Sequence, residues 1–371
     1  ARAQQDSAPV QPYATINRAA INYAGPDREA ARDLVGPEIK IGILAPLQGP
    51  RQREGEALLA AARMAIEDES AAPLSDGRHL ALAVRDETGL WGRASSELVK
   101  LVVENRAVAL ITSPDGRAAH LSEQVGNRLG VPVLTLASDS TSTQINIPWM
   151  FRVVSSDAAQ ARLFAGDIYG TRALERVLLV TEGDHDGKVG REEFAKAAQR
   201  LNASVPTAFE IPAPGSAADT VAAQIRSTRP QAIVVWASAE AAARVFAALR
   251  GSNAEFYVCH KALQEPFLSV AREVNTARLW TASASGSSAA DSRREFDRRF
   301  RARSGTPATP AAREMYDAVR LIAARLRESG PNRARLRDAL AARGEYRGVS
   351  GTISFDGAGN NQAEVTIGQF K

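Results

Sequence analysis

Short apolar runs alternate along this chain with stretches whose apolar residues recur every three or four positions. The first run, Ile39–Leu44, is apolar at nearly every residue and rich in β-branched side chains, which predicts a strand buried on both faces. Pro46, Gly49 and Pro50 then force a loop. From Gly55 the period changes, and Leu58, Ala61, Ala62, Ala65 and Ile66 mark one face of a helix. The unit repeats with strands at 79–85, 107–112 and 131–136 and helices at 93–104 and 117–129. FRVVSSD (151–157) interrupts the rhythm. A second block follows, with helices at 158–169, 188–201, 217–227, 240–250 and 264–274 and strands at 176–181, 205–211, 231–236 and 255–258. After RLWTAS (278–283) come two Arg-rich helices near 290–303 and 308–328 and a short one at 332–342. SGTISFD (350–356) and EVTIGQF (364–370) read as a closing hairpin or paired strands.

Strand, loop and helix in alternation predict an α/β protein of two doubly wound lobes. In such sheets ligands sit outside the carboxyl ends of the strands. The loops there are polar: Gln48–Glu54, Asp86–Trp91, Ser113–Gly116, Ser138–Thr143, Gly183–Gly187, Ser238 and His260–Lys261. Two lobes with facing strand ends bring these loops to one cleft, suited to a small polar ligand. Backbone N–H groups at Gly116 and Arg117 favour an anion there. Trp91 is the candidate aromatic wall.

Composition narrows the picture without redirecting it. A length of 371 residues allows two cores, and 44% hydrophobic with 24% charged residues is usual for a globular protein. No run approaches the length of a membrane span. The net charge is +4, yet 46 Lys and Arg are interspersed with 42 Asp and Glu, so the Arg-rich helices read as solvated faces rather than a nucleic-acid stripe. The single Cys259 allows no intrachain disulfide. Residues 1–37, rich in Ala, Gln, Pro and Asn, read as an extension, with Asp27–Leu34 a possible short helix. The start at Ala1 fits either a cytoplasmic chain or one whose signal peptide is absent.

Enzyme signatures are missing. No GxGxxG, GxxxxGK[ST], GxSxG or HExxH occurs. His79, His120, His185 and His260 have no metal-ligand spacing, so neither a metal nor a cofactor is expected. Asp184-His185-Asp186 reads as turn chemistry, and Cys259-His260 would point to opposite faces of a strand. Catalysis is not expected.

Six segments in order resemble one family. They are IKIGILAPLQGP (39–50), RDETG (85–89), GVPVLTLASDST (130–141), FRVVSSD (151–157), VTEGDHDGKVGREEF (180–194) and SGTISFDGAGN (350–360). Together they resemble the type I periplasmic solute-binding proteins of the branched-chain amino acid ABC transporters. The resemblance implies two lobes joined by three crossovers, near residues 150, 282 and 360. Lobe 1 is then 38–150 plus 283–359, and lobe 2 is 151–282 plus 360–371. It also implies a monomer outside the cytoplasm, its signal peptide removed, that closes on a ligand and delivers it to an ABC permease. A sensor or regulatory protein of the same fold is the alternative.

Carried over residue by residue, the family's carboxylate-holding serine falls at Asp115-Gly116, beside Ser113, and its alanine is kept as Ala137, beside Ser138. Its threonine is Asp139. Its two ligand-packing aromatics fall at Glu54 and Asp186, and its acidic partner for the ammonium falls near His260 or Lys261. With Gln48, Trp91 and Ser238 these make up the expected ligand site. So many carboxylates suit an amine, amide or hydroxylated ligand better than leucine, although Asp115, Asp139 and Asp186 could equally cap helices.

Overall fold

The computed structural model describes residues 34–370 except 75, 89, 144–147, 212–217, 274–277, 285–289 and 343. Most of the extension, with the expected helix over 27–34, therefore lies outside the described residues. Leu34 is buried, and its carbonyl accepts from Arg78 Nη1 at 2.6 Å.

β1 (Glu38–Ala45), β2 (His79–Asp86), β3 (Ala109–Thr112), β4 (Val133–Thr135) and β5 (Met150–Arg152) form a parallel sheet in the order β2-β1-β3-β4-β5. α1 (Gln52–Glu69), α2 (Trp91–Val103) and α3 (Gly116–Leu129) connect its strands. The alternation along β1 explains why the run is apolar throughout. Ile39, Ile41 and Ile43 pack with α1, while Leu44 packs with α2 and α3 on the other face. At Gly42 a Cβ would fall 2.7 Å from the Leu110 side chain, so the second face accepts no side chain at that position.

The second sheet is built from β6 (Val177–Thr181), β7 (Thr207–Glu210), β8 (Ala232–Trp236), β9 (Glu255–Val258) and β10 (Leu279–Ala284). Around it run α4 (Asp157–Ala165), α5 (His185–Arg200), α6 (Ala218–Ser227), α7 (Ala239–Ala248) and α8 (Phe267–Glu273). α9 (Ala290–Ser304), α10 (Pro310–Ser329) and α11 (Arg333–Ala341) return to the first sheet, where Phe296, Met315, Ile322 and Leu336 join the core under β1. β11 (Tyr346–Arg347) and β12 (Thr352–Ile353) pair antiparallel.

The expected closing hairpin does not form. β13 (Val365–Gln369) pairs antiparallel with β10 and completes the order β13-β10-β9-β8-β6-β7, while Phe355 and Asn361 share only an isolated bridge. The edge of β10 offered a full ladder that the two-residue β12 could not.

The chain thus passes between the two cores three times: between β5 and α4, between β10 and α9, and between Phe355 and β13. The first and third passages lie side by side. Arg152 N donates to the Gly359 carbonyl at 2.7 Å, and Asn361 Nδ2 donates to the Val153 carbonyl at 2.6 Å. No described helix is long and apolar enough to cross a membrane.

Candidate functional site

The carboxyl ends of β1, β2 and β3 face those of β6, β8 and β9 across a cavity of about 420 Å³. Pro46, Arg51, Glu87, Trp91 and Asp115 line it from the first half, and Glu182, Ser238, Glu240, Arg244 and Lys261 from the second. A roomier hollow of about 730 Å³ lies against the passages between the halves, lined by Ser155, Arg162, Asn360 and Val365. None of the expected site residues lines that hollow. We therefore place the site at the strand ends.

Close ion pairs form within each half, and Lys261 and Asp115 also act on each other across the cavity. On the first, Arg51 reaches Glu54 Oε1 at 2.6 Å, Asp115 Oδ2 at 2.8 Å and Glu87 Oε1 at 2.9 Å. Burial opposes the Arg51 charge, but the three carboxylates hold its pKa well above the ordinary value. Asp115 is buried, and burial alone would raise its pKa. Lys261, Arg51 and Arg117 instead hold it well below the usual carboxylate range. It also caps α3, accepting from Arg117 N at 2.8 Å and Ala118 N at 3.3 Å, so it both caps and lines the cavity. Glu87 is the exception on this wall, since burial outweighs Arg51 and pushes it up to about 7.

On the second half, Lys261 Nζ lies 3.1 Å from Asp184 Oδ2 and in closer contact with Asp186. Burial works against its charge, yet Asp186, Asp115 and Asp184 together hold its pKa well above the ordinary value. Asp184 rather than Asp186 caps α5, accepting from Gly187 N at 2.8 Å. That cap starts the helix at His185, three residues ahead of the expected Lys188. Ser238 caps α7, and its N–H and hydroxyl donate to Glu182 at 2.6 and 3.0 Å.

The halves touch where Gly116 N donates to Asp186 Oδ2 at 3.3 Å, and where His185 Nε2 lies 2.7 Å from Asp139 Oδ2. Asp139 is buried. Burial would raise its pKa, but hydrogen bonds from His120, Thr141 and His185 hold it well below the ordinary range.

Of the expected residues, Trp91, Asp115, Ser238 and Lys261 line the cavity. Ser113 borders it through its bonds to Arg51 and Asp115, and Gly116 and Asp186 through their bond to each other and that of Asp186 to Lys261. Glu54 is spent on Arg51. Ala137 is buried in the core under α2 and α3, and Ser138 donates to Asp157 Oδ1 at 2.7 Å at the first passage. Gln48 is exposed and donates to Asp86. His260 faces away, with Nε2 3.0 Å from Glu314, and buried Cys259 is pushed up to about 12, so the pair forms no catalytic unit. Arg51, Glu87, Glu182 and Glu240 are cavity residues that the sequence reading did not single out as ligand contacts. Arg51 and Glu87 stood in loops already marked, but nothing in their residue type set them apart from solvated charges.

Residues 38–370 match the family model described as periplasmic binding protein. The chain belongs to the periplasmic binding protein family. The family is one of binding proteins rather than enzymes. Among curated proteins none matches the sequence. Several solved structures share the fold. The branched-chain amino acid transporter substrate-binding protein LivJ of Streptococcus pneumoniae, in complex with isoleucine, superposes with a TM-score of 0.77 at 20% identity. The match covers 90% of this chain and 96% of that one. An ABC transporter solute-binding protein of R. palustris in complex with benzoate gives 0.77 at 19% identity, covering 90% and 93%. A solute-binding protein of Rhodopseudomonas palustris BisB5 in complex with 3,4-dihydroxybenzoic acid gives 0.78 at 16% identity, covering 91% and 94%.

Proposed function

We propose that this periplasmic binding protein is the monomeric, extracytoplasmic solute-binding component of an ABC importer. In this reading lobe 1 (38–150 and 283–359) and lobe 2 (151–282 and 360–371) close over a small polar ligand carrying an amine, which is handed to a membrane permease. Closure is driven by contacts the ligand makes with both lobes at once. The observation that carries the reading is the 420 Å³ cavity at the facing strand ends, lined from both halves. The amine preference rests on its carboxylates. Burial raises both Glu87 and Glu240 above their ordinary pKa, so each gains from a cation placed beside it. Trp91 supplies an exposed aromatic face at the mouth.

A thermal-shift panel of amino acids, amines, amides, aromatic acids and sugars tests this. A ligand at a hundred times its Kd stabilises the fold by about 2.7 kcal/mol. The expected hits are amines and amino acids. Stabilisation by benzoates or sugars alone would overturn the amine preference.

A further inference from the structure

We propose that His120, Asp139 and His185 form a site for a divalent transition-metal ion that ties the two halves together. The ligand atoms lie within 4.8 Å of one another. His120 comes from α3 and Asp139 from the turn after β4, while His185 opens α5 on the opposite side of the cleft. Both imidazoles aim Nε2 at the same carboxylate oxygen, at 2.9 Å for His120 and 2.7 Å for His185. Their rings stand nearly perpendicular, 89° apart with centroids 5.1 Å apart, so the two nitrogens approach Asp139 Oδ2 from separate directions.

Two imidazoles and one carboxylate are the donor set of zinc and of iron(II), cobalt(II) and nickel(II) sites. Metal–ligand bonds of about 2.1 Å put neighbouring ligand atoms about 3.0 Å apart in an octahedron and about 3.4 Å apart in a tetrahedron. The two nitrogen–oxygen separations, 2.9 and 2.7 Å, are close to the octahedral edge, and all three ligand atoms lie within 4.8 Å, so an ion enters as the two imidazoles adjust around Asp139. Each imidazole then binds as its Nδ1–H tautomer, with the Nε2 lone pair on the ion, and the ion takes over its partnership with Asp139. Thr141 Oγ1, 2.8 Å from His120 Nε2, is a further oxygen beside the site, and the His185 side chain is 38% exposed.

A supporting shell is already built. Glu123 Oε2 lies 3.0 Å from His120 Nδ1 and is almost fully buried. A carboxylate on the far nitrogen fixes the ring and makes Nε2 a better donor, as in carboxylate–histidine–metal sites. Thr141 does the same for Asp139, donating to Oδ1 through its N–H at 2.8 Å and its hydroxyl at 2.7 Å, which leaves Oδ2 for the ion.

The site needs no solute, so the test uses Zn2+ alone on the full chain, and its outcome is independent of the solute panel above. Calorimetric titration of protein stripped with chelator is expected to show one Zn2+ per chain at micromolar Kd or tighter. His120→Gln and His185→Gln should each weaken binding at least 100-fold, and Glu123→Gln about 10-fold. Because His185 alone comes from the second half, small-angle scattering should show contraction on Zn2+ addition in wild type and none in His185→Gln. Circular dichroism confirms that the variants are folded, and Glu123→Gln, outside the ligand set, still reads the site should a histidine variant fail to fold. Wild type that takes up no Zn2+, or binds it as tightly after either histidine is replaced, overturns the proposal.

Discussion

Gly116 and Asp186 meet across the cleft. The Gly116 N–H donates to Asp186 Oδ2 at 3.3 Å, and a Cβ on Gly116 would lie 2.1 Å from Asp186 Oδ1. Asp186 cannot simply swing aside, because Lys261 holds it. A carboxylate at the first N–H of α3 is where the dipole of a helix favours an anion. With Lys261 beside it, the protein places its own carboxylate and ammonium at that helix end.

Gly116→Ala therefore has two opposed effects. Alanine favours the helix by up to about 1 kcal/mol over glycine, so the melting temperature should not fall. The closed arrangement, however, becomes crowded. Small-angle scattering with a saturating ligand should show contraction in wild type and a more open particle in the variant. Equal contraction in both would show that the contact does not set closure.

Arg51 is the counter-ion of three carboxylates, Glu54, Glu87 and Asp115. Arg51→Met leaves them facing one another at low exposure, at a cost of about 3 kcal/mol at pH 8. Glu87, already pushed up to about 7, takes a proton as the pH falls and relieves part of the repulsion. Denaturant titrations at pH 5.5 and pH 8 should find the smaller loss at pH 5.5. A loss independent of pH would remove Glu87 from the cluster.

The central folding elements were largely legible in the sequence because their burial is complete. A strand covered on both faces, such as β8 or the Ile41–Ala45 part of β1, admits no polar residue and declares itself as an apolar run. The partner of β13 was not legible, because it lies some 80 residues upstream at β10 and no local turn fixes the pairing. The site was only half legible. Asp115 and Lys261 sit in loops that the strand rhythm marks. Arg51 looked like a surface arginine until the fold wrapped three carboxylates round it. His120, Asp139 and His185 share no spacing, since α3 and α5 meet only through tertiary packing.

Asp157 opens α4 at the first passage between the halves. Its carboxylate accepts from Ser138 Oγ at 2.7 Å and Trp236 Nε1 at 3.3 Å. Burial, reinforced by Asp186 and Asp139, outweighs those bonds and raises it to about 7. The protonated form thus favours the folded state. Its contribution is present below the ordinary carboxylate range and is lost as pH rises from about 4 to about 7. Asp157→Asn removes that titration. The stability difference between wild type and variant should shift on the order of 3 kcal/mol between pH 4 and pH 7.5, with wild type losing ground as pH rises. A difference flat over that range would mean Asp157 stays ionised in the fold.

The proposal of an amine site in the cleft is tested most directly by calorimetric titration of the strongest amine from the panel into wild type and into Glu87→Gln/Glu240→Gln. These glutamines keep the shape of the cavity and remove its two carboxylates of raised pKa. We predict that the double variant, folded and with unchanged melting temperature in the absence of ligand, binds the amine at least tenfold more weakly. Equal affinity for the amine in both proteins would contradict the account.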